Sequence, residues 1–316
     1  MKTNILNIIK KPWIWAFLGC IGSWLAISII TNQFGIESFL INASLASFLI
    51  IIATGQMFAI TSGEGGIDLS IPYMITLSAF LSFGIINGSE SNVPLALITV
   101  LGIAIFVGIL NSAAILFFKI PPMIGTMAIG YIINTVILLY SESYRFSEMS
   151  KFISYIANGR IAKLPIVLLF VAVVVCFIGF LINNTSFGIS LTAVGQNRLA
   201  AYLAGVRVNK TVVIAYIASA VFAAIGGILL GARVNGAFLD MGTPYMLQSV
   251  SSVVIGGTLI AGGRASVIGT AFGSLFLILL STLMMVTHLP IGTQYIIQGI
   301  LLITVLVFDG GSKESE

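Results

Sequence analysis

Two carboxylates in a glycine-rich stretch are the chemically most capable residues in this chain. The stretch is TSGEGGIDLS, residues 61–70, with Glu64 and Asp68 among Gly63, Gly65 and Gly66. An ionisable group near membrane depth is expensive and faces protein or water. Three roles are open to the pair: capping and packing, a place at a pathway or gate, or coupling to a proton or ion. The glycines permit a tight backbone course. Asp68 is placed to accept hydrogen bonds from the backbone or from Ser70 and to cap the segment that follows. The remaining polar chemistry is uncharged. Gln56, Asn111, Asn134 and Gln248 stand inside apolar runs, and each needs a hydrogen-bond partner if buried. They serve either helix–helix bonding or pathway lining, with Phe58, Tyr73 and Phe272 as aromatic companions. Amides, hydroxyls and aromatic rings without buried charge suit a neutral polar solute. Asn42, Gln294 and Gln298 lie nearer segment ends or on the last segment.

Other chemistries find no residues. His288 is the sole histidine, so a histidine pair for a metal and a nucleophile–histidine arrangement are both absent. Cys20 and Cys176 sit within apolar runs and read as small buried hydrophobes. GGTLIAGGRASVIGT, residues 256–270, is not a phosphate loop, because it lacks the Gly-Lys-Ser/Thr ending and a preceding strand. No ATP-binding motif is present, so energy must come from a partner or from a gradient.

The elements that position these residues are apolar helices. Of 316 residues, 58% are hydrophobic and 8% charged, and mean hydropathy is +1.12. Soluble domains carry about 25% charge, so a soluble globule is excluded. Apolar windows at 13–31, 39–60, 71–88, 93–118, 122–140, 164–182, 211–231, 246–260, 266–287 and 291–308 predict an all-α polytopic membrane protein of about ten transmembrane segments. The eighth is weak: Gln248, Ser249, Ser251 and Ser252 lie between Pro244 and the Gly256-Gly257 pair, so it is expected to be short or broken. Lys2, Lys10 and Lys11 before the first window resemble a signal-peptide start, but no small-residue cleavage site follows and the segment reads as an uncleaved span. With the N-terminus in the cytoplasm, the C-terminus returns there. Nine basic residues then lie inside (Lys2, Lys10, Lys11, Lys119, Arg198, Arg207, Lys210, Arg264, Lys313) and five outside (Arg145, Lys151, Arg160, Lys163, Arg233). The basic residues are scattered, which gives no nucleic-acid surface. Trp13 and Trp15 fall at the inner interface. Glycines on several segments, including the G-x-x-x-G of Gly269 and Gly273, favour close helix packing, within the subunit or between subunits.

Two connections are long. The segment 141–163 is an external loop able to form a short interfacial helix. The segment 183–210 is cytoplasmic and contains AVGQNRLAAYLAGVRVNK. Asn197 is placed to cap a two-turn helix beginning at Arg198, and Gly205 to end it. Leu199, Tyr202 and Leu203 share one side. Such a helix is too short to hold alone in water. It must rest on the chain's own surface or in a groove of a soluble subunit, with Tyr202 and Leu203 as anchors. In the 256–270 stretch, Gly256 and Gly257 would break the preceding segment. Gly262 and Gly263 would form an inside turn, with Arg264 anchored at the membrane surface.

In that order, GGIDLS (65–70), AVGQNRLAAYLAGVRVNK (193–210) and GGTLIAGGRASVIGTAFGSL (256–275) resemble the permease subunits of bacterial ABC importers for monosaccharides, the ribose type above all. The resemblance covers about 40 to 309. It implies one transmembrane permease domain over 1–316, in the bacterial cell membrane, with the ABC importer permease fold. It implies pairing with a second copy or a paralogue, two ABC ATPase subunits that hold the ATP and Mg, and an extracytoplasmic solute-binding protein. The chain itself would bind no cofactor or metal and catalyse nothing. The loop with Asn197, Arg198, Leu199, Tyr202, Leu203 and Gly205 would dock on the ATPase. Gly65, Gly66, Asp68, Ser70, Gly262, Gly263 and Arg264 would form gate or structural motifs. The lining candidates remain Gln56, Phe58, Tyr73, Asn111, Asn134 and Gln248. Glu64 and the bulky Tyr73 depart from the usual pattern. The competing reading is a secondary transporter driven by an ion gradient, which expects a coupling carboxylate or an ion site at a broken helix.

Overall fold

The computed structural model describes residues 13–32, 34–144 and 148–311. The N-terminal lysines, Arg145 and Lys313 lie outside the described residues. The chain forms α1 (Trp13–Thr31), α2 (Ile36–Thr61), α3 (Ile71–Ile86), α4 (Val93–Leu116), α5 (Pro122–Ser143) and α6 (Lys151–Asn158). A two-residue hairpin follows, β1 (Arg160–Ile161) against β2 (Leu164–Pro165), antiparallel. Then come α7 (Ile166–Asn184), α8 (Ser186–Gln196), α9 (Arg198–Leu203), α10 (Val208–Val234), α11 (Tyr245–Ile255), α12 (Val267–Val286) and α13 (Ile291–Gly311). Among the described residues, seven helices are long and apolar enough to cross a membrane: α1, α2, α4, α5, α7, α10 and α12. The other three expected windows hold the shorter apolar helices α3 and α11 and the Ile291–Thr304 part of α13.

α2 and α10 form the centre. Each is 61% buried over its apolar window, against 33% or less for α1, α4, α5 and α7. α10 packs on α2, α3 and α4, and α12 packs on α1, α2 and α11. The approach is close because small residues meet backbone: Gly227 lies on the Ile75 carbonyl and Gly273 on the Ser252 carbonyl. The G-x-x-x-G is therefore spent within the subunit.

The shortness of α3 has a visible cause. α2 ends at Thr61, and Gly63 (φ 83°) and Gly65 (φ 68°) reverse the chain. Residues 66–70 then run back along α2, with Gly66 against the Ala59 carbonyl and Asp68 beside Gln56. α3 thus starts at depth and rises only about 24 Å, short of the ~30 Å hydrocarbon core. The far end of α10 does the same in reverse. Asn235 (φ 52°) ends the helix, residues 236–244 return along it, and α11 starts beside α3. A non-helical backbone at such depth is tolerable only when covered by protein or lining water.

These two units are a repeat. DLSIPYM (68–74) matches DMGTPYM (240–246) at Asp, Pro, Tyr and Met. The helix order α2–α3–α4–α5 recurs as α10–α11–α12–α13. The copies run in opposite directions: Ile52 and Gly55 of α2 meet Gly226 and Ser219 of α10, in reversed order. Where the copies cross, Gly242 lies against the Pro72 carbonyl and its N–H donates to Thr76 Oγ1 at 3.1 Å.

Candidate functional site

The three motifs singled out in the sequence converge on one point, where glycine meets glycine. Gly63 lies against Gly195, the residue before the end of α8. Gly262 (φ 90°) lies against Gly63, and Gly263 (φ 77°) against Gln196. The Gly263 N–H donates to the Thr61 carbonyl at 3.0 Å. A Cβ on Gly195 would strike the Thr61 oxygen and the Gly263 nitrogen, both backbone atoms. Gly262 and Gly263 do make the turn expected of them, and Arg264 is exposed beside it.

The junction holds α9. Asn197 Oδ1 accepts from the Ala200 N–H at 2.9 Å, as an N-cap should. Gly205 (φ 84°) and Val206 close the other end on the Tyr202 and Ala201 carbonyls, at 2.9 and 3.0 Å. Ala201 is buried against Ala59, Ile115, Val194, Val212 and Tyr216. The opposite face carries Leu199, Tyr202 and Leu203, exposed by 69%, 68% and 76%. So the chain's own surface seats one side of α9 and leaves the aromatic-aliphatic side bare. Arg198 Nη1 pairs with Glu64 Oε2 at 2.6 Å, tying the first helical residue to the turn between the first two glycines of the broken span. Sequence reasoning did not join these two residues; opposite charges in two motifs bound for one face were the available signal. An open concavity of about 820 Å³ lies beside the junction, between α8 and residues 259–265.

Above the junction, Asp68 is 2% exposed and fully engaged. Oδ1 accepts from Ser70 N–H at 2.9 Å and Ser70 Oγ at 2.6 Å, and Oδ2 from Ser219 Oγ at 2.7 Å. Asn111 Nδ2 donates to Ser70 Oγ at 2.8 Å. The Gln56 amide, oriented to satisfy both of its atoms, brackets the Asp68 peptide with two 3.1 Å bonds. Asp68, through its carboxylate, its peptide groups and Ser70, thereby ties α2, α4, α10 and the start of α3. Ser219, within the small-residue run of α10, was not singled out in the sequence.

The lining candidates divide by burial. Gln56 and Asn111 are 0% exposed because they serve Asp68, and Phe58 is 2% exposed, packed against Phe187 and Phe222. None of the three opens onto a passage here. Tyr73, Asn134 and Gln248 are half-buried. Phe272 stacks on Trp13 at 5.8 Å, away from Tyr73. Asn42 bonds Thr282 at 2.6 Å and Gln298 bonds Ser281 at 3.1 Å, both between helices. Among the described residues no group of three or more metal-ligating side chains occurs.

An inverted repeat with two broken crossings, joined to a capped surface helix, defines a multi-span membrane permease. The chain belongs to the family described as branched-chain amino acid transport system / permease component, whose model matches residues 38–306. It is 30% identical over 284 residues to the fructose import permease protein of Bifidobacterium longum, covering 85% of this chain and 83% of that one. It is 25% identical over 307 residues to the ribose import permease protein of Escherichia coli, covering 95% of both. It is 25% identical over 267 residues to the autoinducer 2 import system permease protein of Shigella flexneri, covering 84% and 77%. No solved structure matches.

Proposed function

We propose that this chain is the membrane-spanning subunit of an ATP-driven importer for ribose or a related monosaccharide, working by alternating access. The observation that carries the reading is α9: a capped helix with a bare Leu199–Tyr202–Leu203 face, fixed through glycine contacts to a broken span. A face of that kind is an anchor for a soluble subunit, and the tie gives the subunit's movement a rigid route into the membrane. The partner there is an ABC ATPase, which holds the ATP and Mg; this chain does no chemistry. The concavity beside α8 and Arg264 widens the same contact. A second permease copy or paralogue completes the pathway, and an extracytoplasmic binding protein delivers the sugar on the side of α6. Both termini lie in the cytoplasm of a bacterial cell whose membrane the chain crosses about ten times, α3, α11 and α13 counting as crossings with their extended leads. The sugar class rests on the import permeases to which the chain is similar.

The test is reconstitution in liposomes with the cognate ATPase and binding protein, against ribose, fructose, galactose, xylose and glucose. Stimulation of ATP hydrolysis by one sugar, lost in Tyr202→Asp/Leu203→Asp, is the expected result. Transport that needs no ATPase and follows a proton or sodium gradient overturns the reading.

A further inference from the structure

The crossing of the two repeats leaves a polar surface where a membrane protein should have none. Tyr73 follows the first Pro, at the start of α3, and its ring lies against the backbone of α5 at Gly130. Tyr131, the next residue of α5, is 55% exposed, and its ring centroid is 5.7 Å from that of Tyr73 at an interplanar angle of 50°. Asp240, from the second copy of the motif, is exposed and held in a left-handed conformation (φ 61°). Gly242, two residues on, packs against Pro72 and bonds Thr76, which brings Asp240 to the start of α3. Asn134 and exposed Thr135 continue the same face of α5, one turn on from Tyr131.

The depth of this cluster decides its meaning. Pro72 lies about 21 Å below the outer end of α3, deep within a ~30 Å core. α5 runs parallel to α3, since Tyr140 meets Gly84 as Gly130 meets Tyr73. Tyr131 therefore sits at the same depth. An exposed carboxylate is not stable against hydrocarbon there and must face water or protein. Asp240 has no basic partner among the described residues. Water or a protein partner therefore covers it.

We propose that Tyr73, Tyr131 and Asp240 form a monosaccharide-binding station midway through the passage. The inference rests on the monosaccharide reading above. Two tilted rings offer an apolar face for the C–H side of a sugar, and the carboxylate accepts hydrogen bonds from adjacent hydroxyls. Few polar groups in an aromatic setting is the ordinary make-up of a small-ligand site. Because both rings come from the first repeat and the carboxylate from the second, opposed movement of the repeats opens and closes the station.

The experiment uses the full complex in proteoliposomes, with a Cys20→Ala/Cys176→Ala chain as background. Its sugar uptake is measured first, with the panel above. Thr135→Cys, one turn from Tyr131 on the same face, and Ile132→Cys, on the neighbouring face of α5, are then exposed to a charged methanethiosulfonate. Cysteine at 135 is expected to react, and the transported sugar to slow the reaction several-fold, while cysteine at 132 stays inert. Unreactive cysteine at 135, or a rate that no sugar changes in a complex that still imports sugar, overturns the station alone. A background complex that imports no sugar from the panel, yet whose unaltered parent also imports none, overturns the monosaccharide reading and the station with it.

Discussion

Replacing Asp68 separates a structural knot from a coupling carboxylate. In Asp68→Ala, the Ser70 N–H, Ser70 Oγ and Ser219 Oγ lose acceptors at 2.9, 2.6 and 2.7 Å in a site closed to solvent. A buried donor left unmade costs about 1–3 kcal/mol, and the two hydroxyls can turn toward other acceptors. The loss is then about 3–5 kcal/mol, within the range of the large single-site effects. Asp68→Asn keeps the shape and one carbonyl acceptor. Its amide faces Ser219, whose hydroxyl can turn to accept, so the cost is about 1 kcal/mol. Thermal unfolding of the purified chain in detergent reads the difference: a drop of many degrees for Ala, a small one for Asn. Sugar uptake by the reconstituted complex is the second readout, and Asp68→Asn retains most of it. An Asp68→Asn chain that unfolds normally yet transports nothing would refute the reasoning, because only the charge would then be missing. An Asp68→Ala chain of unchanged stability would refute it from the other side.

Gly195→Ala puts a methyl against the Thr61 and Gly263 backbones and should cost about 1–3 kcal/mol, whereas Gly102→Ala, with open space around it, should be neutral or better in the same melt. Glu64→Gln removes the partner of Arg198; since Glu64 is 59% exposed, stability should fall by less than about 1 kcal/mol, while ATPase binding weakens measurably as α9 loosens. Asn197→Ala removes the cap of α9 and should cost about 1 kcal/mol locally, seen as faster amide exchange at Ala200 with the global melt unchanged.

The helices were legible because each apolar window is bounded by turn residues, and ten windows fell within a few residues of ten helices. α9 was legible to the residue, since Asn197 and Gly205 are local signals. The packing was not. Nothing in the spacing of Gly63, Gly195 and Gly262 says that they touch, because a backbone contact leaves no side-chain pattern. The choice between bonding and lining for Gln56 and Asn111 was not legible for a related reason. An amide in an apolar run looks the same whether it faces a passage or an Asp68 from another segment. The D-x-x-x-P-Y-M repeat was present in plain letters, but reading span by span compares each segment with a template, never with another segment.

The glycine junction also orders events during synthesis. Its three strands come from positions 63, 195 and 262, so it cannot close until most of the chain has left the ribosome. Until then α9, too short to stand alone, has only part of its support, and a chain arrested before Gly262 presents its bare face without a finished seat. The permease thus reports its own completion: the α9 face is set only once the last motif has locked beneath it.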